Sequence, residues 1–120
     1  LFFFVFILLI LFITHILNHS LVHNIMTKIF VLFWQDIPTV IEARDATGIE
    51  KVELSKRFSE LVDLIAMKKG LVGTDDYLQN WKKKKFPSTE KTAKQIVLEL
   101  SKHFESKYED IKLKSLKALK

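Results

Sequence analysis

Lys28–Leu54, KIFVLFWQDIPTVIEARDATGIEKVEL, is the stretch that decides the fold. Its first part, Lys28–Trp34, is apolar on both alternating faces: Ile29, Val31 and Phe33 on one, Phe30, Leu32 and Trp34 on the other. A strand apolar on both sides reads as a central strand. Asp36-Ile37-Pro38 is expected to end it, because proline cannot donate to a central ladder. Thr39–Asp45 then alternates, with Ile41 and Ala43 on one side and Glu42 and Arg44 on the other. Thr47-Gly48 is a turn signal. Glu50–Leu54 alternates again, Val52 and Leu54 inward, Lys51 and Glu53 outward. The second and third runs form a hairpin.

Helical spacing takes over downstream. Ser55 is a candidate N-cap, followed by Phe58, Leu61, Val62 and Ile65, with Met67 near the end. Lys68-Lys69 suits a last turn and Gly70 a C-terminal stop. Thr74 caps a second predicted helix, with Asp75 and Asp76 at its positive end. That helix is expected to bury Tyr77, Leu78 and Trp81 and to finish in Lys82–Lys85. After Phe86-Pro87-Ser88 a third helix is predicted, capped by Ser88 or Thr89 with Glu90 in its first turn. Its apolar stripe is Ala93, Ile96, Val97, Leu100, Phe104, Tyr108 and Ile111. The fold class is therefore α+β: a small three-stranded antiparallel sheet packed with two to three helices, behind an apolar N-terminal segment.

Composition divides the chain in two. It has 120 residues and a net charge of +5. No Asp, Glu, Lys or Arg precedes Lys28, so the mean hydropathy of +0.13 averages two unlike pieces. With no cysteine, disulfides, thiolate nucleophiles and Cys-based zinc sites are excluded. Three regions result: 1–25, 26–86 and 87–120. Leu1–Ile13 is an unbroken apolar run, short of the roughly 20 residues that span a bilayer. Extended to Val22 it is long enough, with His15, Asn18 and His19 inside it. Its readings are a membrane helix with a cytoplasmic C-terminal domain, a stretch upstream of a start at Met26 that leaves a cytoplasmic domain, and a fragment. His15, His19 and His23 share a helical face, but no carboxylate or thiol accompanies them, and no metal site is assigned.

The motifs in order are WQDIP (Trp34–Pro38), Leu54-x-x-Arg57-Phe58, Val62-Asp63 to Ala66-Met67, and GTDDYL-x-x-W (Gly73–Trp81). Together they resemble the small bacterial and archaeal virulence factor domain, the module also found in conserved virulence factor C, over about Ile29–Trp81. The carried positions are Trp34, Asp36, Pro38, Arg57, Phe58, Asp63, Met67, Thr74, Asp75, Tyr77 and Trp81. The departures are mild: Gln35 where the family often has Arg, and Leu61-Val62-Asp63 where it more often has Ala-Ile-Asp. In larger relatives the domain accompanies a scaffold-type domain similar to those of iron–sulfur assembly proteins, and helical repeats. The resemblance implies an accessory or adaptor role and supplies no catalytic residues.

Met26–Phe86 contains neither His nor Cys, so acid–base chemistry there would rest on Asp, Glu, Lys or Tyr. One alternative is a ligand-binding or enzymatic cluster of Asp36, Arg57, Asp63 and Asp75. The plainer roles are a turn for Asp36, an ion pair for Asp63 with Arg57, and a helix start for Asp75. A second alternative is binding of nucleic acid or anionic membrane by Lys82–Lys85 and Lys112–Lys120, with Trp81 stacking on a base. Against it, acidic residues are spread through the domain and Trp34, Phe58, Met67 and Trp81 read as core. No P-loop spacing is present. The favoured expectation is a non-enzymatic interaction module without cofactor, binding a protein partner through the stripe of the third helix; membrane attachment rests on residues 1–25.

Overall fold

The computed structural model describes the backbone of residues 2–119 and the side chains of residues 2–17 and 26–119. In chain order the elements are α1 (Phe2–Ile25), β1 (Thr27–Trp34), β2 (Ile37–Asp45), β3 (Gly48–Glu53), α2 (Lys56–Lys68), α3 (Asp75–Gln79), β4 (Trp81–Thr89), α4 (Ala93–Ser106) and α5 (Tyr108–Lys117). The class is α+β, but the sheet has four strands, all antiparallel, in the order β3-β2-β1-β4.

The fourth strand corrects the expectation of a long second helix. α3 stops at Gln79, and Trp81–Thr89 pairs with β1 along its length. The reason is in β1 itself. A β1-β2-β3 meander would leave β1 on an edge, yet its continuous apolar run is typical of a central strand. Lys82–Lys85 carries no helical periodicity to resist extension. An edge strand tolerates it, since lysine side chains reach solvent and discourage further pairing. Pro87 lies where the β1–β4 register slips between Thr27 and Ile29, and Pro38 lies where the β1–β2 register slips between Leu32 and Phe33. Pro38 therefore sits inside β2 and does not end β1. The β1–β2 reversal is the Gln35-Asp36 turn, with Gln35 at φ 53°.

One sheet face carries Ile29, Val31, Ile41 and Ala43, all buried with Ala93, Ile96 and Val97 of α4. Phe58, Leu61, Val62, Ile65 and Ala66 of α2 join the same core. The α4–α5 stripe is thus largely used inside the molecule: Leu100, Phe104, Tyr108 and Ile111 also pack on this core.

Helix ends differ from expectation in instructive ways. Ser55 stands at the N-cap of α2, but its side chain makes no capping bond; its hydroxyl donates to Glu105 at 2.9 Å. α2 ends as expected at Gly70, φ 68°, where Gly70 N–H donates to Met67 O and Leu71 N–H to Ala66 O, the pair of bonds of a Schellman cap. Thr74 caps α3 as expected. α4 starts at Ala93, capped by Thr92 in a reciprocal box with Gln95, not by Ser88 or Thr89, which belong to β4. Thr92-x-x-Gln95 is the spacing a capping box needs. The expected single third helix is broken at Lys107 into α4 and α5.

Asp45 locks the end of β2. Its Oδ1 accepts from Thr47 N–H at 2.9 Å, Thr47 Oγ1 at 2.6 Å and Gly48 N–H at 3.2 Å, and its Oδ2 from Ala93 N–H at 2.9 Å. A carboxylate thus joins the β2–β3 turn to the positive end of α4.

In α1 every described side chain, Phe2–Leu17, is exposed. The expectation of a membrane-crossing helix is not supported: among the described residues no helix is long and apolar enough to cross a membrane. His19 and His23 lie outside the described residues, and among those described no group of residues is arranged to hold a metal ion.

Candidate interaction site

The β1–β4 half of the sheet gathers the densest charge in the domain. Register pairs Phe33 with Lys82, Leu32 with Lys83, Val31 with Lys84 and Phe30 with Lys85. Partners across a ladder share a face, so the four lysines alternate: Lys83 and Lys85 on the open face, Lys82 and Lys84 on the helix-covered face. All four are exposed.

On the open face Glu42 sits beside Phe30 with its side chain 14% exposed. Lys83 Nζ meets Glu42 Oε2 at 2.7 Å and Arg44 Nη2 meets Oε1 at 3.4 Å. Both cations also flank the Phe30 ring, Lys83 at 5.2 Å and Arg44 at 5.6 Å from its centre. The Lys83 ammonium against Oε2 is the main reason that Glu42 titrates below its ordinary 4.5; burial opposes it and Arg44 adds to it. On the other face Lys84 Nζ lies 4.6 Å from the centre of the Phe33 ring. Lys82 and Lys85 have no ion-pair partner among the described residues. At the Leu32–Val40 end of the open face lies a groove of about 340 Å³, lined by Leu32, Val40, Leu54, Lys56, Phe58 and Trp81.

The motif residues mostly build the scaffold. Trp34 is fully buried and its Nε1 donates to Tyr77 O at 2.9 Å. The Tyr77 ring lies between Trp34 at 5.8 Å and Trp81 at 6.3 Å. Half-buried Trp81 opens β4 instead of closing a helix, so its ring is engaged in packing. Pro38 and Phe58 are buried. Met67, expected in the core, is 68% exposed on α2, and Leu78, expected on a buried face, is 66% exposed.

The proposed cluster of Asp36, Arg57, Asp63 and Asp75 is not assembled by bonding: no described hydrogen bond or ion pair joins any two of them. Arg57 instead clasps Glu105, Nη2 to Oε2 at 2.9 Å and to the backbone O at 2.8 Å, with its guanidinium 4.3 Å from the Tyr108 ring centre. Burial works to raise the Glu105 carboxyl; bonds from the Ser55 N–H and hydroxyl and from Arg57 outweigh it and hold the group below its ordinary 4.5. Asp63 and Asp75 are exposed. Asp36 is exposed in the β1–β2 turn and lines a cavity of about 310 Å³ with Phe33, Pro38, Phe104, Lys107 and Asp110.

Sequence reasoning missed Glu42, Asp45, Thr92 and Glu105. Thr92-x-x-Gln95 was visible as a capping box, and Asp45 preceded a turn. Glu105 left no local signal, since its partners Ser55 and Arg57 lie 50 and 48 residues away.

No curated protein and no solved structure matches the chain at a significant level. A family model described as virulence factor matches residues 32–116. That span runs from β1 through β4 and both C-terminal helices, well beyond the motifs ending at Trp81, and covers most of the chain. The sheet, the helices packed on it and the WQDIP and GTDDYL motifs are thus parts of one unit, and the chain belongs to the virulence factor family.

Proposed function

We propose that this domain is a non-enzymatic interaction module that holds a protein partner against the β1–β4 side of its sheet. The observation that carries the proposal is the placement of Lys82–Lys85: four exposed cations on an edge strand whose outer side pairs with no described strand, beside an open face bearing half-buried Phe30, Leu32 and Val40. The α4–α5 stripe is a weaker candidate than its sequence suggests, because Ala93, Ile96 and Val97 are buried in the core. The polar motif residues support a scaffolding role for the rest of the domain: Arg57 binds Glu105, and Thr74 caps α3.

The test is site-specific photo-crosslinking in the source cell. A photoreactive residue at Lys85 is expected to trap one defined protein, and the same group at Met67 on α2 is not. Equal trapping at both positions, or none at Lys85, would sink the assignment of the surface. Trapping of nucleic acid at Lys85 would favour the basic-surface alternative.

A further inference from the structure

The outer edge of β4 has a receptive register that can be read from its backbone. Leu32 O points toward β2, where it accepts from Thr39 Oγ1 at 3.0 Å. Gln35 N–H points the other way and donates to Asn80 O at 3.1 Å. In-plane direction alternates residue by residue along a strand, so Val31 and Phe33 direct their backbone groups at β4. Their partners Lys84 and Lys82 therefore bond inward to β1. Trp81, Lys83 and Lys85 are left with N–H and C=O directed away from the sheet, because β4 ends the strand order. Pro87, which has no N–H, and the nearby register slip close the edge at its far end.

We infer that this edge accepts an acidic extended segment of a partner protein, added to β4 as a fifth strand. The inference rests on the interaction-module reading and names the partner's chemistry. An added strand would lie beside Lys83 and Lys85 on one face and Lys82 and Lys84 on the other. A neutral or basic strand would crowd these cations and leave Lys82 and Lys85 without a counter-charge, which is how lysine edges discourage self-association. An Asp/Glu-rich strand converts the same lysines into cross-strand ion pairs on both faces, so one device both rejects and selects. Only about five residues of edge are available, so the docked segment is short.

The test uses the full chain, kept in solution with a mild non-ionic detergent, and a fluorescent hexapeptide Glu-Glu-Thr-Thr-Glu-Glu, which as a strand carries carboxylates on both faces. A Lys/Thr peptide and a Glu/Thr peptide N-methylated at alternate residues serve as controls. The Glu/Thr peptide is expected to bind at least roughly tenfold more tightly than either control. Amide hydrogen exchange is expected to slow at Lys83 and Lys85, and to stay unchanged at Lys82 and Lys84, already bonded to β1. Equal affinity of the N-methylated and unmodified acidic peptides, without new protection at Lys83 and Lys85, means charge attraction alone and overturns the inference. Absence of binding by the acidic peptide overturns it too. If the acidic peptide fails while crosslinking at Lys85 still traps one protein, the interaction surface stands and only the strand-addition chemistry falls.

Discussion

Replacing Arg57 tests whether a family-motif residue is structural. Its guanidinium joins three elements: it makes bonds of 2.9 Å and 2.8 Å to the Glu105 side chain and backbone of α4, sits 3.2 Å from Ser55 Oγ at the start of α2, and stacks on Tyr108 of α5. The side chains of the pair are 43% and 32% exposed, so solvent screens the ion pair, and alone it is worth about 0.2–1 kcal/mol. The cation–π contact on Tyr108 adds about 0.5–1 kcal/mol at such exposure. Arg57→Ala is therefore expected to cost about 1–2 kcal/mol. Arg57→Lys is expected to lose about half of that, since an ammonium keeps the charge but not the fork that reaches two oxygens. In Glu105→Ala the backbone bond and the Tyr108 stack survive, so the double-mutant coupling should be smaller than the Arg57 loss, about 0.5–1 kcal/mol. Urea unfolding of the wild type, Arg57→Ala, Arg57→Lys, Glu105→Ala and the Arg57→Ala/Glu105→Ala double variant measures all of this. A coupling near zero would refute the clasp. An Arg57→Ala protein of unchanged stability that no longer traps a partner at Lys85 would make Arg57 a site residue and refute the structural reading.

The remaining expectations concern ends and charges. Asp45 is held down to about 2 from 3.8, chiefly by the Thr47 hydroxyl and then by Ala93 N–H; a depressed carboxyl stabilises the fold above its unfolded value, so its contribution is complete above 3.8 and fades as pH falls toward 2. Glu42 and Glu105 are also lowered, so acid destabilisation is expected to begin below their ordinary 4.5 and continue to about 2; Asp45→Asn should be less stable at pH 7 and lack the last part of that decline, as thermal melts across pH will record. Thr92→Ala breaks the capping box of α4 and should cost about 1 kcal/mol in urea unfolding, with Thr89→Ala costing less. Gly70→Ala meets no neighbour within 4 Å, so its cost is the φ of 68° alone, about 1–2 kcal/mol by the same measurement. Phe58, 1% exposed, should cost about 3–5 kcal/mol when cut to alanine.

Three strands, the α2 boundaries and the Thr74 cap were legible because each has a short-range cause. Alternation set Ile41 and Ala43 inward; Gly70 supplied the left-handed residue that the Schellman bonds require. β4 was illegible for a local reason and legible for a distant one. Read alone, Trp81-Lys82-Lys83-Lys84-Lys85 has no period, and the charged helix end was the simplest assignment. Read with β1, whose continuous apolar run is typical of a central strand, a β1-β2-β3 meander lacks a strand on one side of β1, and β4 fills that place. The break at Lys107 has no proline or glycine behind it and no signal in the sequence.

The place of Lys82–Lys85 in the fold was hidden for the same reason. Lysines at the end of a helix complement its dipole and explain themselves, so Lys82–Lys85 looked structural there. Moved to a strand edge they lose that explanation. Lys83 finds Glu42 and Lys84 lies over Phe33, whereas Lys82 and Lys85 have no described ion pair. Arg57 moved in the opposite direction: suspected of chemistry beside three aspartates, it is bound to a glutamate that sequence proximity could not supply. A charged residue points to function when the fold leaves it without a structural partner. Asp36 and Asp63 also lack a described partner, so what singles out the β4 edge in the proposal is four exposed lysines side by side on a strand with an open outer edge.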